Sequence, residues 1–395
     1  MSMKRFFVCG LVLIMAMGCS LAVQAKSLDE ACGNAAESLT KFEAGKWLPW
    51  TDDNIAQERL DVGFLAEQQK LLTALAEPFM RLKVLTPPAG VEARPHRTLG
   101  QKQYMGEPMA AAMLMIQLFH PTYQQAGESS AGVKLYVNHL PPLFYGIGGG
   151  EIKDEAGPMF MEPIHVGQLG GADVFWSGRP RDCLVVFKAH QKPLWRPVSQ
   201  ERYLRAQIQA VEGKMNEERK KYEAEKQAQL AKANNPETLA QQEELIRQMQ
   251  AINPEAAKEM QRQLAATNAM MQQQMPEIQN QADRGFDRMQ KQLEPEINKF
   301  KNELAAMTPA ERAAPAYLGG VNGSKATLLS KPDDTGARAL VAPATDYFNK
   351  AMAPADAQLL IIEIASTADH APETVILTRL RKELDWKQFW QFVGK

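Results

Sequence analysis

Six histidines stand in the chain, and imidazole is the side chain most often recruited for metal binding or proton transfer at neutral pH. They are His96, His120, His139, His165, His190 and His370. None falls in an HExxH or HxH arrangement, and none has a CxxC partner. His139, His165 and His190 sit near the ends of expected strands, where Glu151 or Glu162 could complete a three-ligand zinc set. Histidines at strand edges are common without that role, so no metal ligand is assigned. Gly146-Ile147-Gly148-Gly149-Gly150 looks like a phosphate loop but lacks the following Lys-Ser/Thr and a helix start. Glu151, Asp154 and Glu155 follow instead, which suits an ordinary loop. Ser177 is in no GxSxG elbow. Asp154, Glu155 and Glu162 are acidic residues in a Gly/Pro-rich stretch, too few cues for a paired-carboxylate mechanism. Met109, Met113 and Met115, with Met159 and Met161, form a soft thioether set of the kind that takes copper(I). Their i, i+2 spacing equally fits one face of a strand, and core packing is the expectation. No catalytic residue, cofactor or metal is therefore assigned.

The cysteines carry a clearer message. A basic start (Lys4, Arg5), an apolar run from Phe6 to Gly18 and Val23-Gln24-Ala25 have the pattern of an export signal over residues 1–25, cut before Lys26. Ala16-Met17-Gly18-Cys19 offers the alternative of a lipoprotein anchored at Cys19, with Ala where Leu is usual. Removal of residues 1–25 takes Cys9 and Cys19 and leaves Cys32 and Cys183. In an oxidising compartment these two form one disulfide or remain two buried thiols. The expected location is periplasmic or secreted, with no transmembrane segment in the mature chain.

Composition narrows the partners. In 395 residues, 45% are hydrophobic and 23% charged, enough for a real core. Lys and Arg total 45 against 46 Asp and Glu. Loss of Lys4 and Arg5 takes the net charge from −1 to −3. Such a chain has no general field for nucleic acid or acidic lipid.

The elements that must hold these residues change character along the chain. Thr51 is an expected N-cap for a helix through Ile55, Leu60, Phe64, Leu71, Leu72 and Leu75, interrupted at Pro78. From about 105 to 190 the pattern is β: 113–119, 134–138, a strand over 159–166 broken at Pro163, a Gly170-Gly171 hairpin into 172–176, and 183–189. Residues 201–307 then hold 17 Gln, two Gly and four aromatics, with 16 basic against 17 acidic residues. Leu204, Ile208, Val211 and Met215 step by 4, 3 and 4, the seam of a coiled coil. A helix over 200–233 would be about 50 Å long. Asn234-Asn235-Pro236 and Asn253-Pro254 open the next helices. Met260, Leu264 and Met271 continue the seam to Pro276, and a last helix runs from Ile278 to Leu304 with Pro295 inside. Thr308 to Glu311 has capping-box spacing. Turns at Gly319-Gly320 and Asn322-Gly323, strands at 339–341 and 358–364, and a terminal helix capped by Asp385 complete the chain.

The fold class expected is α+β: a mixed or antiparallel sheet body built from both chain ends and interrupted by a long helical insertion. The parts are 26–198, the arm 199–307, and 308–395. The functional expectation is a non-enzymatic envelope binding or adaptor protein. Its arm mediates self-association or grips a protein partner through Leu204, Ile208, Val211, Met215, Met260, Leu264 and Met271. The alternative is a periplasmic hydrolase with a cleft around residues 139–182, acting through Asp154, Glu155 or His165.

Overall fold

The structure is a computed structural model that describes residues 27–32, 39, 43–54, 62–101, 111–119, 131–144, 152–178, 182–233, 236–319, 329–349, 351–353, 356–366 and 371–394. The signal-like segment 1–25, Ile55 and Leu60, Met109, His120, the Gly146–Gly150 loop, Glu151, Asn234-Asn235, Gly320, Asn322-Gly323 and His370 lie outside them.

The chain forms two compact units. One combines residues 1–199 with 315–395, and the other spans 200–314. In the first unit the chain runs α1 (Leu28–Cys32), β1 (Lys46–Trp47), β2 (Thr51–Asn54), α2 (Val62–Met80), β3 (Glu92–Gln101), β4 (Ala111–Phe119) and β5 (Ala131–Val137). It continues through β6 (Ile152–Asp154), β7 (Gly157–Met161), β8 (Ile164–Leu169), β9 (Ala172–Trp176), β10 (Asp182–Lys188) and β11 (Trp195–Pro197). The second unit holds α3 (Gln200–Ala233), α4 (Pro236–Ile252), α5 (Pro254–Ala306) and α6 (Pro309–Ala313). The chain then returns to the first unit with β12 (Tyr317–Leu318), β13 (Arg338–Pro343), β14 (Leu359–Ser366), α7 (Ala371–Glu383) and a 3₁₀ turn over Trp386–Phe392.

The body is α+β, as its sequence indicates. Its larger sheet is mixed and has nine strands among the described residues, in the order β1-β3-β4-β5-β14-β10-β9-β8 with β2 also on β3. β14, from the C-terminal end, lies between β5 and β10, so the two chain ends build one sheet. A second sheet orders β11-β13-β7-β6, with β12 on β13. One face of the large sheet is covered by helices. Leu114, Ile116, Leu118, Val133, Leu135, Val185 and Ile362 join Leu72, Leu75 and Phe79 of α2 and Ile376 and Leu380 of α7 in one apolar core. A second core uses the other face: Leu184, Val186, Leu359 and Ile361 meet Phe160 and Val341 of the smaller sheet. Strands buried on both faces explain the near-continuous apolar runs of β10 and β14. Gly170 and Gly171 turn the β8–β9 hairpin at φ 58° and 83°, and a Cβ at Gly170 would lie 2.5 Å from that of Trp386.

Several elements depart from the sequence expectation. Thr51 caps no helix; Thr51–Asn54 is β2, parallel to β3. The carboxylate that would have favoured a helix start, Asp52, is taken by Arg97 at 2.6 and 2.9 Å. β3 itself begins at Glu92, well before the β pattern becomes legible, because Arg94, Pro95, His96 and Arg97 hide it. β7 and β8, expected as one broken strand, belong to different sheets. α2 runs on through Pro78 to Met80, where the proline removes only a last-turn hydrogen bond. α5 is continuous over 53 residues through both Pro276 and Pro295, where two helices were expected. Its packing along α3 and α4 outweighs the lost backbone bonds. The terminal element that Asp385 caps is 3₁₀, not α.

The disulfide is formed: Cys32 and Cys183 are bonded, with Cα atoms 5.1 Å apart. It fastens α1 to β10, and Arg381 of α7 holds the same helix through Asp29 at 2.5 Å. No helix among the described residues is long and apolar enough to cross a membrane.

Candidate functional site

The helical unit is a long antiparallel hairpin. α3 and α4, 34 and 17 residues, lie along the 53 residues of α5, about 80 Å of helix. Asn253 turns the chain, its side chain accepting from the Ala256 amide at 3.1 Å. Lys301 bonds Glu212 at 2.8 Å, and Tyr222 stacks on Phe286 at 6.3 Å. These pairs set one register over the length of α3. At the base, Gln200 N donates to Ala314 O, and Thr308 and Glu311 close the expected capping box. The helical unit therefore extends past residue 307, to Ala314, with α6 packed on α3.

The seven seam residues are spread along this hairpin. Leu204 is fully buried, while Ile208, Val211 and Met215 on α3 and Met260 and Leu264 on α5 are half-buried. Met271 lies on α5, its side chain outside the described residues. Ile297 and Phe300 of α5 are buried, and Met215 and Ile297 line one shared groove. The proximal seam is thus occupied by the hairpin's own packing.

The distal third differs. Leu245, Ile252 and Met270 are 50%, 80% and 55% exposed, and the fourth exposed large apolar side chain among the described residues is Trp390 of the body. Gln241, Leu245, Gln248 and Ile252 step by 4, 3 and 4 along α4, and all are exposed. Gln263, Ala266, Met270 and Gln273 step by 3, 4 and 3 along α5, also exposed. Each is an uncharged stripe with coiled-coil spacing, separate from the buried seam. The sequence marks Leu245 and Ile252, one heptad apart, among the apolar residues of the returning helix, without showing which of them stay in water.

The body residues with chemical potential are mostly engaged in structure. Asp154 accepts from Ala156 N in the β6–β7 turn, where Glu155 also lies. His165 is half exposed, 3.5 Å from Asp173, which also binds Lys188 at 3.0 Å. Burial pushes the Asp173 carboxyl up, but the Lys188 and Gln168 hydrogen bonds and the Lys188 and His165 charges outweigh it. The group stays below the usual carboxylate range. Ser177 is buried and donates to the Asp182 carbonyl. His190 bonds the buried Gln358, which also meets Asn349 and Asn138. Trp195 bonds Glu162 at 3.1 Å. No cluster of three His, Cys, Asp or Glu suited to a metal occurs among the described residues.

The methionines divide. Met159 is fully buried, whereas Met113 and Met115 are half-buried, and none of the three belongs to either apolar core.

Comparison with known proteins finds no matching family, no matching curated protein and no matching solved structure.

Proposed function

We propose that this chain is an exported binding or adaptor protein whose helical hairpin mediates association with another protein. The observation that carries the reading is the exposure of Leu245, Ile252 and Met270 on the distal third of a hairpin whose proximal seam is filled. Large apolar groups held in water on uncharged, coiled-coil-spaced stripes suit the apolar face of a partner helix. The near-neutral charge of 201–307 favours that partner over nucleic acid or acidic lipid. Cleavage before Lys26, and a soluble rather than Cys19-anchored form, belong to the same proposal.

Site-specific photo-crosslinking in envelope preparations tests it. A crosslinker at 245, 252 or 270 should capture a discrete protein species, and one at Ala210, exposed on α3, should not. Leu245→Glu with Ile252→Glu should abolish the capture without changing helicity. Equal capture at 210 and 252, or capture that survives both glutamates, overturns the assignment. The hydrolase alternative, through Asp154, Glu155 or His165, has weaker support, since the Asp154 carboxylate accepts from Ala156 N in the β6–β7 turn and the Asp173 beside His165 is held by Lys188.

A further inference from the structure

At the β2 edge of the large sheet a hydroxyl, an imidazole and a carboxylate stand in line. Thr51 and Asp53 of β2 are in register with His96 and Thr98 of β3, so these side chains share one face. Thr51 Oγ1 lies 2.9 Å from His96 Nδ1. Asp53 Oδ2 lies 3.4 Å from Nε2 of the same ring, with Thr98 Oγ1 at 3.5 Å. The residue between them holds the strand in place. Asp52 goes to the opposite face, where Arg97 clamps both of its oxygens at 2.6 and 2.9 Å. Thr51 is exposed and His96 is half-buried, so the hydroxyl meets solvent beside a partly sheltered ring. Met115 stands opposite His96 on β4 and Met113 opposite Thr98, both half-buried on the same face.

We propose that Thr51, His96 and Asp53 act as nucleophile, base and orienting carboxylate in the hydrolysis of carboxylic esters with an apolar acyl group. Such catalysis needs a hydroxyl within hydrogen-bond reach of an imidazole whose far nitrogen faces a third group, and geometry rather than chain order identifies it. With its proton on Nε2, toward Asp53, His96 presents the Nδ1 lone pair to the Thr51 hydroxyl. Asp53 favours the imidazolium that then forms. Thr51 Oγ1 attacks the ester carbonyl carbon as its proton passes to His96 Nδ1. The bond to the alcohol oxygen breaks, and the alcohol leaves with that proton. Water next adds to the acyl-Thr51 carbonyl, giving a proton to Nδ1, and the carboxylic acid leaves as Thr51 regains it. Among the described residues β2 pairs only with β3, so amides on its outer side are open to the oxygen that gains charge. The Met113 and Met115 thioethers offer an apolar surface for the acyl chain. An alcohol leaves more readily than an amine, which suits esters at a site this open. The inference concerns the body alone and does not depend on the hairpin's role.

The test is hydrolysis of p-nitrophenyl butyrate by the full chain, with acid quenching before steady state and peptide mass spectrometry of the acylated protein. Butyryl on Thr51 is expected, with turnover well above that of free imidazole at the same concentration. Thr51→Ala and His96→Gln should each lower kcat by about a hundredfold or more. Asp53→Asn should lower kcat with KM unchanged, and Asp53→Glu should recover part of the loss, a split that a merely structural carboxylate would not give. No turnover above free imidazole, butyryl on another residue, or undiminished kcat in Thr51→Ala overturns the assignment. The position of the acyl group in the unaltered chain decides the matter even if a variant folds poorly.

Discussion

Arg97 lies on β3 and is almost wholly buried, yet its guanidinium is fully employed. It donates to both oxygens of Asp52 and to Thr73 Oγ1 at 2.7 Å, and it stacks on Trp50 at 4.4 Å. This one side chain joins β2, β3 and α2. Asp52→Ala should lower stability by about 1–3 kcal/mol, since it strips a buried cation of its charge partner while Thr73 and Trp50 remain. Chemical denaturation of the variant measures that loss, and Arg97→Lys, which cannot form the fork, should be similarly damaging. Two tyrosines make a second prediction at this scale. Burial pushes Tyr347 and Tyr203 up to about 12, with the Glu303 charge adding to burial at Tyr203. The folded chain keeps protons that the unfolded chain releases near pH 10. The stabilisation is therefore complete below pH 10 and is lost as pH rises toward 12, by roughly 2–3 kcal/mol for each group at most. Urea midpoints measured from pH 9 to 12 should fall, and the fall should be shallower in Tyr347→Phe. The variant will start lower, because it loses the bond to the Gln358 carbonyl at 2.9 Å.

The disulfide and the hairpin turn operate at the level of elements. Cys32 and Cys183 are 151 residues apart, so the bond closes a very long loop in the unfolded chain. Cys32→Ser with Cys183→Ser should cost about 4–5 kcal/mol in the chain-entropy description. The loss should show in thermal unfolding of the body. α1 is the element most exposed to that change, with Asp29–Arg381 its remaining ion pair among the described contacts. At the hairpin turn, Asn253→Ala removes the cap of α5 and should cost about 1 kcal/mol of hairpin stability. Hydrogen exchange should then rise in α4 and the first turns of α5, with little change in the β-sheet.

For the molecule as a whole, the chain divides at residues 199–200 and 314–315 into two compact units. The body cores contain no residue from 200–314. Replacing residues 200–314 by a short Gly/Ser link should leave a body that retains its disulfide and β circular dichroism. Ser199 and Pro315 already pair across the gap, so the link has little distance to span. A truncated body that fails to fold would show that the helical unit is part of the folding core and would remove the adaptor proposal's simplest form.

Much of this organisation is written in local pattern. Runs such as Cys183–Phe187 and Leu359–Ile364 are apolar because both faces of their strands are covered. The 3–4 stepping of Leu204 to Met215 and the Asn-Pro and Thr-Pro-Ala-Glu starts mark the helices by side-chain chemistry alone. A pairing of Cys32 with Cys183 was one of two readings until the fold brought α1 onto β10. What local pattern could not contain was anything decided by a residue far along the chain. Asp52 joins a strand because Arg97 reaches it from 45 positions away. Pro276 stays inside a helix because antiparallel helices pack along α5. Met113 and Met115 stand apart from the core because a period of two gives each strand two faces, and only tertiary structure assigns each face its cover. The exposed heptad at Leu245 and Ile252 follows the same rule. Spacing makes a stripe, but only the packing of α4 on α5 determines which stripe remains in water.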